Sequence, residues 1–184
     1  MAHDGSAVAD AAPLPDGAVS SANCGFAVSG DRTYPMTDGS SCQGSLTQHN
    51  GSGDYTINMA TGFASPATME SLTFGLLVTS TSPPAVGDTW TVGQDGRGGN
   101  STLTVIKGST GVLWGTSDTD AALVKGGTTV TFTSVTKVMG TQNPQDVFYL
   151  FDVTFQAALN GQSPGTAPLK VTGHFKVTSL PLGA

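Results

Sequence analysis

The sequence predicts an all-β protein, an antiparallel β-sandwich or closed barrel of about ten strands. Two observations support this fold class. Short segments alternate apolar and polar residues, and Gly, Pro, Asn and Asp separate them. The composition also lacks helix formers, since Thr and Gly supply 26 and 25 of the 184 residues and Glu70 is the single glutamate. Thr is β-branched and suits a solvated strand face, whereas Gly suits tight turns.

The first 20 residues differ from the rest of the chain. Residues 4–21 form the run DGSAVADAAPLPDGAVSS, in which no apolar periodicity could form a buried face. Such a composition is typical of a flexible, partly polyproline-like linker. We therefore expect a disordered tether over residues 1–20 and one all-β domain over residues 21–184.

The next segments predict a series of short strands. Trp90 and Trp114 share the parity of neighbouring valines, so both are expected in the core. In the last of these segments the apolar phase changes between Phe132 and Val135, which predicts a β-bulge. In chain order the segments are DYTINMA, SLTFGLLVTS, GDTWTVG, STLTVIKG, GVLWGT and TTVTFTSVTKV.

The last third of the chain contains the strongest strand pattern, DVFYLFDVTFQAAL. Apolar residues keep one parity from Val147 to Leu159, and apolar groups on the second face predict a central strand. The closing segment PLKVTGHFKVTSL places Lys170, His174 and Lys176 outward. One interpretation places this strand at a sheet edge, where lysines discourage pairing with another chain and keep the protein a monomer. The alternative is an ordinary solvent-facing strand that carries some charge.

The charge argues against several partners. The net charge is −6 and the chain has only seven Lys and Arg residues, too few for a nucleic-acid-binding surface. No run approaches the 18 apolar residues of a transmembrane segment. The start MAHDGSAVAD lacks the features of a signal peptide, so the protein is expected to be cytosolic or to have lost such a segment.

The two cysteines, Cys24 and Cys42, are best explained as a disulfide. No histidine lies near them in the sequence, which makes a metal site or a catalytic thiol a poor interpretation. A disulfide closing the intervening residues into a loop is favoured over two buried thiols. It also favours an oxidising compartment.

The segment GQSPG, residues 161–165, fits the G-x-S-x-G pattern of a nucleophilic serine. That motif requires a helix after the turn, whereas here another strand follows. Its oxyanion hole also uses the N–H of the residue after the serine, and Pro164 has none. We interpret Ser163 as part of a hairpin loop and predict no catalytic residue.

Other candidate sites are weaker. Asp95, Asp118 and Asp120 lie in turn-rich segments and are calcium candidates, but neither segment has the EF-hand spacing. Turn formation explains them equally well, so no metal or other cofactor is predicted. Tyr34, between the two cysteines, is the best-placed free aromatic residue and a candidate ligand contact.

The tether DAAPLPDGA followed by a Thr- and Gly-rich β domain resembles the mature part of bacterial surface lipoproteins. The segments GGTTVTFTSVTKV, YLFDVTFQAALNGQ and LKVTGHFKV resemble the closing strands of uncharacterised domains in such proteins. The resemblance implies a cell-surface location and supplies no site residues. The lipid-bearing cysteine of that family is absent from this sequence.

Together these features predict a non-catalytic extracellular or cell-envelope module with a binding or structural role. Its partner would be an extracellular ligand or an envelope component. One alternative is an assembly subunit, such as a filament or phage-type decoration protein. Another is a carbohydrate-binding or calcium-dependent carbohydrate-active protein.

Overall fold

The structure is a computed structural model that describes residues 23–48, 53–117, 127–139 and 147–178. Antiparallel strands form most of it. Within these residues the one helical element is the 3-10 turn Gln94–Gly96. The all-β prediction is therefore confirmed. The strands are β1 (Cys24–Gly30), β2 (Tyr34–Asp38), β3 (Ser41–Gln48), β4 (Tyr55–Ser65), β5 (Glu70–Ser80), β6 (Thr89–Thr91), β7 (Asn100–Lys107), β8 (Thr110–Ser117), β9 (Thr128–Met139), β10 (Val147–Gly161) and β11 (Leu169–Val177).

The strands form two layers that β10 joins. One layer has the order β2-β1-β11-β10-β9-β6, and the other has the order β3-β4-β5-β7-β8. Near its start β10 pairs with β3 through Phe148 and Thr47. At its end it pairs with β8 through Asn160 and Gly161. The fold is a sandwich in which one long strand closes the second layer into a ring, so it combines both predicted architectures.

Aromatic side chains fill the space between the layers. Phe74 of β5 stacks on Phe155 of β10 with ring centroids 4.9 Å apart, and Phe26 of β1 lies 4.7 Å from Phe63 of β4. The alternation predicted for β10 is confirmed, because the residues of that parity from Tyr149 to Leu159 are all buried. Trp90 and Trp114 are core residues, as expected.

Gly173 of β11 shows how closely neighbouring strands of one layer approach each other. A Cβ atom at this position would lie 2.5 Å from the ring of Phe155 and would also collide with the carbonyl oxygen of Gly25. Interiors are packed too densely to absorb such an atom without moving the ring or the backbone. A glycine is therefore required here for space.

The bulge predicted in β9 is confirmed. Phe132 pairs with Val153 and Ser134 pairs with Asp152, so Thr133 has no partner of its own on β10. The extra residue shifts the side chains of β9 by one position, which explains the change of apolar phase in the sequence.

The disulfide between Cys24 and Cys42 is present and links the two layers. Cys24 lies on β1 and is fully buried, Cys42 lies on β3, and their Cα atoms are 5.8 Å apart. The segment between them is not a simple loop, since it contains most of β1, all of β2 and the start of β3. The cross-link therefore joins strands that are not hydrogen-bonded neighbours.

The expectation that the closing strand lies at a sheet edge is wrong. β11 pairs with β1 on one side and with β10 on the other. Lys170 and Lys176 are exposed side chains on a strand that has a neighbour on each side. Lys176 pairs with Asp152 at 3.3 Å, and His174 is half-buried between the two lysines in sequence. These lysines therefore protect no edge.

Short strands border that layer instead. β2 has five residues, one of which is Pro35, and β6 has three. Short edge strands and edge prolines limit pairing with another chain.

The tether predicted for residues 1–20 falls outside the residues that the structure describes. In the part of the chain that the structure does describe, no helix is long and apolar enough to cross a membrane.

Candidate functional site

A cleft of about 730 Å³ lies at one end of the sandwich. Three connections line it: residues 31–33 between β1 and β2, the turn 66–69 between β4 and β5, and the loop 163–166 between β10 and β11. Lys107, at the end of β7, completes the rim. Its volume lies in the range of small-molecule binding sites. Loops on a rigid β framework are also a common location for such sites.

The only glutamate of the chain lies at the base of this cleft. Glu70 is the first residue of β5 and is only 6% exposed. The hydroxyl of Tyr34 donates a hydrogen bond of 2.5 Å to Oε2 of Glu70. Nη1 of Arg32 donates one of 2.9 Å to Oε1. Both carboxylate oxygens are therefore satisfied, as a buried charge requires.

This environment sets the charge of the site. The hydrogen bond from Tyr34 lowers the pKa of the Glu70 carboxyl most, followed by the hydroxyl of Thr68. Burial opposes them, and the positive charges of Arg32 and Lys107 lower the pKa further. The pKa of Tyr34 itself is raised, first by burial and then by its hydrogen bond to Glu70. At neutral pH Glu70 is thus charged and Tyr34 is protonated.

Two contacts hold Arg32 while part of its side chain stays exposed at the cleft. Its guanidinium carbon lies 5.9 Å from the ring centre of Trp114, within the range of a cation–π contact. The ion pair with Glu70 is the second contact. The side chain is nevertheless 35% exposed. The arrangement presents a preoriented guanidinium to any molecule in the cleft.

Hydrogen bonds hold the loop that follows β10 against β8. The Nε1 of Trp114 donates to the carbonyl of Ala167 at 3.0 Å. The N–H of Gln162 donates to the carbonyl of Leu113 at 2.9 Å, and the N–H of Leu113 donates to Oγ of Ser163 at 3.2 Å. These bonds place Ser163 at the cleft and give its oxygen a structural role.

The segment GQSPG is a loop between antiparallel strands, as expected, and not the turn into a helix that a nucleophilic serine needs. Pro164 supplies no N–H for an oxyanion. We predict that Ser163→Ala leaves the rate of ester hydrolysis at the background level of the wild type, measured with p-nitrophenyl acetate. Turnover by the wild type that disappears in Ser163→Ala would contradict this prediction.

The backbone is strained at Met69, on the rim of the cleft. Met69 has a φ of 54°, a conformation that non-glycine residues seldom adopt, and its side chain is 79% exposed. The turn thus places an apolar side chain in solvent beside Glu70, where a ligand could contact it.

Tyr34 does line the cleft, but it is not the free aromatic residue that the sequence suggested. Its side chain is buried and its hydroxyl is bonded to Glu70. Tyr34 therefore offers no exposed ring on which a ligand could stack.

The structure gives no support to the calcium candidates that it describes. Oδ2 of Asp95 accepts hydrogen bonds from the N–H and the hydroxyl of Thr81, both at 3.1 Å, which lower its pKa and explain it as a turn residue. Asp118 and Asp120 lie outside the described residues. Among the described residues no three His, Cys, Asp or Glu side chains are grouped to hold a metal.

The sequence interpretation missed Arg32, Glu70 and Lys107. One signal was available for Glu70, because it has the same parity as the buried residues Leu72 and Phe74 at the start of a strand. A carboxylate at an inward position needs a cationic or hydrogen-bonding partner. The chain has only two arginines, which are the strongest partners for such a carboxylate.

Comparison with known proteins does not identify a family. No protein-family model matches this chain, and no curated protein or solved structure is significantly similar to it.

Proposed function

We propose that this protein is a non-catalytic extracellular or cell-envelope module that binds a small polar ligand in the cleft at the end of its sandwich. The observation that carries the proposal is the preoriented Arg32, which Glu70 and Trp114 hold and which lines the cleft with a side chain that is 35% exposed. A protein gains little stability from such an ion pair, because desolvation offsets much of the attraction. We take ligand recognition as the reason for this ion pair.

Three features of the cleft favour binding over catalysis. Both oxygens of Glu70 are engaged, and its pKa is lowered, so it is poorly suited to donate a proton. Tyr34 keeps its proton because its pKa is raised. Ser163 accepts a backbone hydrogen bond and is followed by proline.

The disulfide supports the location. Cross-links of this kind persist in oxidising compartments and are rare in the cytosol. A low charge content and a surface rich in Thr also agree with a module displayed outside the cell. The assembly-subunit alternative receives less support, because β2 and β6 are short and Pro35 interrupts one of these edges.

We predict that Ala67→Trp abolishes ligand binding. Ala67 is exposed in the turn 66–69 and lines the cleft, so an indole there would fill the site without disturbing the core. The measurement is retention on glycan and peptide arrays, with Ala85→Trp as the control. Ala85 is also exposed but lies in the connection between β5 and β6.

Retention of at least one array compound by the wild type and Ala85→Trp, with loss in Ala67→Trp, would support the proposal. Failure to retain any compound, or retention that Ala67→Trp leaves intact, would refute binding in this cleft.

A further inference from the structure

We propose that the ligand of the cleft is a saccharide that carries a single carboxylate, and that Arg32 and Lys107 bind this carboxylate. The inference rests on the proposed function, since it names the ligand class for the same cleft. It follows from the geometry of one arginine, the charge balance of the site and the hydroxyl groups that surround it.

The geometry of Arg32 suits a carboxylate. A guanidinium has five N–H donors in a rigid planar fork that matches two carboxylate oxygens. The pairing with Glu70 uses Nη1, and the 35% exposure of the side chain leaves other donors accessible from the cleft. Because Glu70 and Trp114 already hold the guanidinium, little side-chain freedom is lost when a ligand binds.

The charged groups of the cleft favour a ligand with a single negative charge. Arg32 and Lys107 supply two positive charges, and Glu70 and Asp31 supply two negative charges. Glu70 is buried and both of its oxygens are engaged, whereas Lys107 and Asp31 are exposed, so water and salt screen both of these charges. A carboxylate bound by Arg32 and Lys107 adds one negative charge to a balanced site, whereas a phosphate dianion would add two.

The remaining polar groups match the hydroxyls of a sugar. Among the hydroxyls that line the cleft, that of the exposed Thr33 can both donate and accept. The hydroxyl of Ser163 accepts from the N–H of Leu113 and can still donate, and that of Thr166 donates to the carbonyl of Ser163 and can still accept. Sugar hydroxyls have the same double capacity. Met69 adds an exposed apolar surface at the rim for the C–H face of a pyranose ring.

The experiment uses methyl β-D-glucuronide and, as the uncharged match, methyl β-D-glucoside. Binding to the full chain is followed by ¹H–¹⁵N NMR titration, which also locates the site through the amides of residues 31–34 and 67–70. We expect the glucuronide to bind at least about tenfold more tightly, the effect of one charge-assisted hydrogen-bonding pair.

Two variants test the residues. Arg32→Lys keeps the charge beside Glu70 but removes the planar fork, so we expect about a tenfold loss of glucuronide affinity and a smaller loss of affinity for the glucoside. Lys107→Gln should weaken the glucuronide alone, by about threefold, in line with one exposed charge. Lys137→Gln is the matched control, because Lys137 is an exposed lysine on β9 that does not line the cleft.

The outcomes separate this inference from the proposed function. Equal affinity for the two glycosides, or a glucuronide affinity that Lys107→Gln and Lys137→Gln lower equally, would overturn the carboxylate site. If binding is still lost in Ala67→Trp, the cleft remains a binding site for a neutral ligand. Failure of the wild type to bind the glucuronide at tens of millimolar would also overturn the inference, while the arrays decide separately whether the cleft binds anything else.

Discussion

Replacing both cysteines by alanine is expected to lower the free energy of unfolding by about 3 kcal/mol, the loop-closure entropy of a cross-link of this size. Cys24 and Cys42 are 18 residues apart in sequence and lie in different layers. Without the bond, the unfolded chain regains the freedom to separate these two positions. For a protein of this length the loss corresponds to a decrease in Tm of roughly 6 to 12 °C.

The measurement is thermal unfolding of the wild type and of the double variant, followed by circular dichroism. Alanine is preferred to serine at Cys24, because the position is fully buried and a hydroxyl there would add an unpaired polar group. Alkylation of the unfolded, unreduced wild type should add no mass, which confirms that the bond is present in the sample. A double variant with an unchanged Tm would show that β1 and β3 are held together without the cross-link.

The segment between Cys24 and Cys42 also shows what the sequence could not predict. In β2 only Tyr34 is buried, and Gly, Ser and Pro weaken the alternation on either side of it. A strand with one buried residue has no period to detect. β10, by contrast, buries one face along most of its length, so its pattern predicted both its extent and its orientation.

The cleft was hidden for a different reason. Arg32 and Tyr34 lie 38 and 36 positions before Glu70 in the chain, in segments that the sequence does not place together. Their contact depends on the order of the strands, which local alternation does not determine. The same gap explains the wrong edge assignment for β11, since Lys170 and Lys176 are outward in any sheet order.

Glu70→Gln is expected to lower the free energy of unfolding at pH 7 by about 2 to 3 kcal/mol, or the Tm by roughly 5 to 10 °C. Removing one partner of a fully buried ion pair can cost about 3 to 5 kcal/mol, because the other charge is left uncompensated. The effect here is smaller, since the side chain of Arg32 is 35% exposed and water can solvate it in part. The hydroxyl of Tyr34 can still donate to the amide oxygen.

The pH dependence distinguishes a lost charge from lost packing. The folded protein lowers the pKa of Glu70 below the ordinary 4.5, chiefly through the hydrogen bond from Tyr34. A lowered pKa contributes stability that is complete above the unfolded pKa and is lost as the pH falls through the folded pKa. The difference in Tm between the wild type and Glu70→Gln should therefore be constant from pH 7 to about pH 5 and shrink below pH 4.5.

Asp152→Asn is the matched control, because it removes a carboxylate of similar geometry from the surface. Asp152 pairs with Lys176 at 3.3 Å, but the two side chains are 34% and 49% exposed. Exposed pairs of this kind contribute about 0 to 1 kcal/mol, so its Tm should change by no more than roughly 2 °C. If Glu70→Gln behaved like Asp152→Asn, or if its effect persisted unchanged to pH 3, the charge of Glu70 would not hold Arg32 in place. The loss expected instead would show that the charge of the buried Glu70 stabilises the fold through its pairing with Arg32.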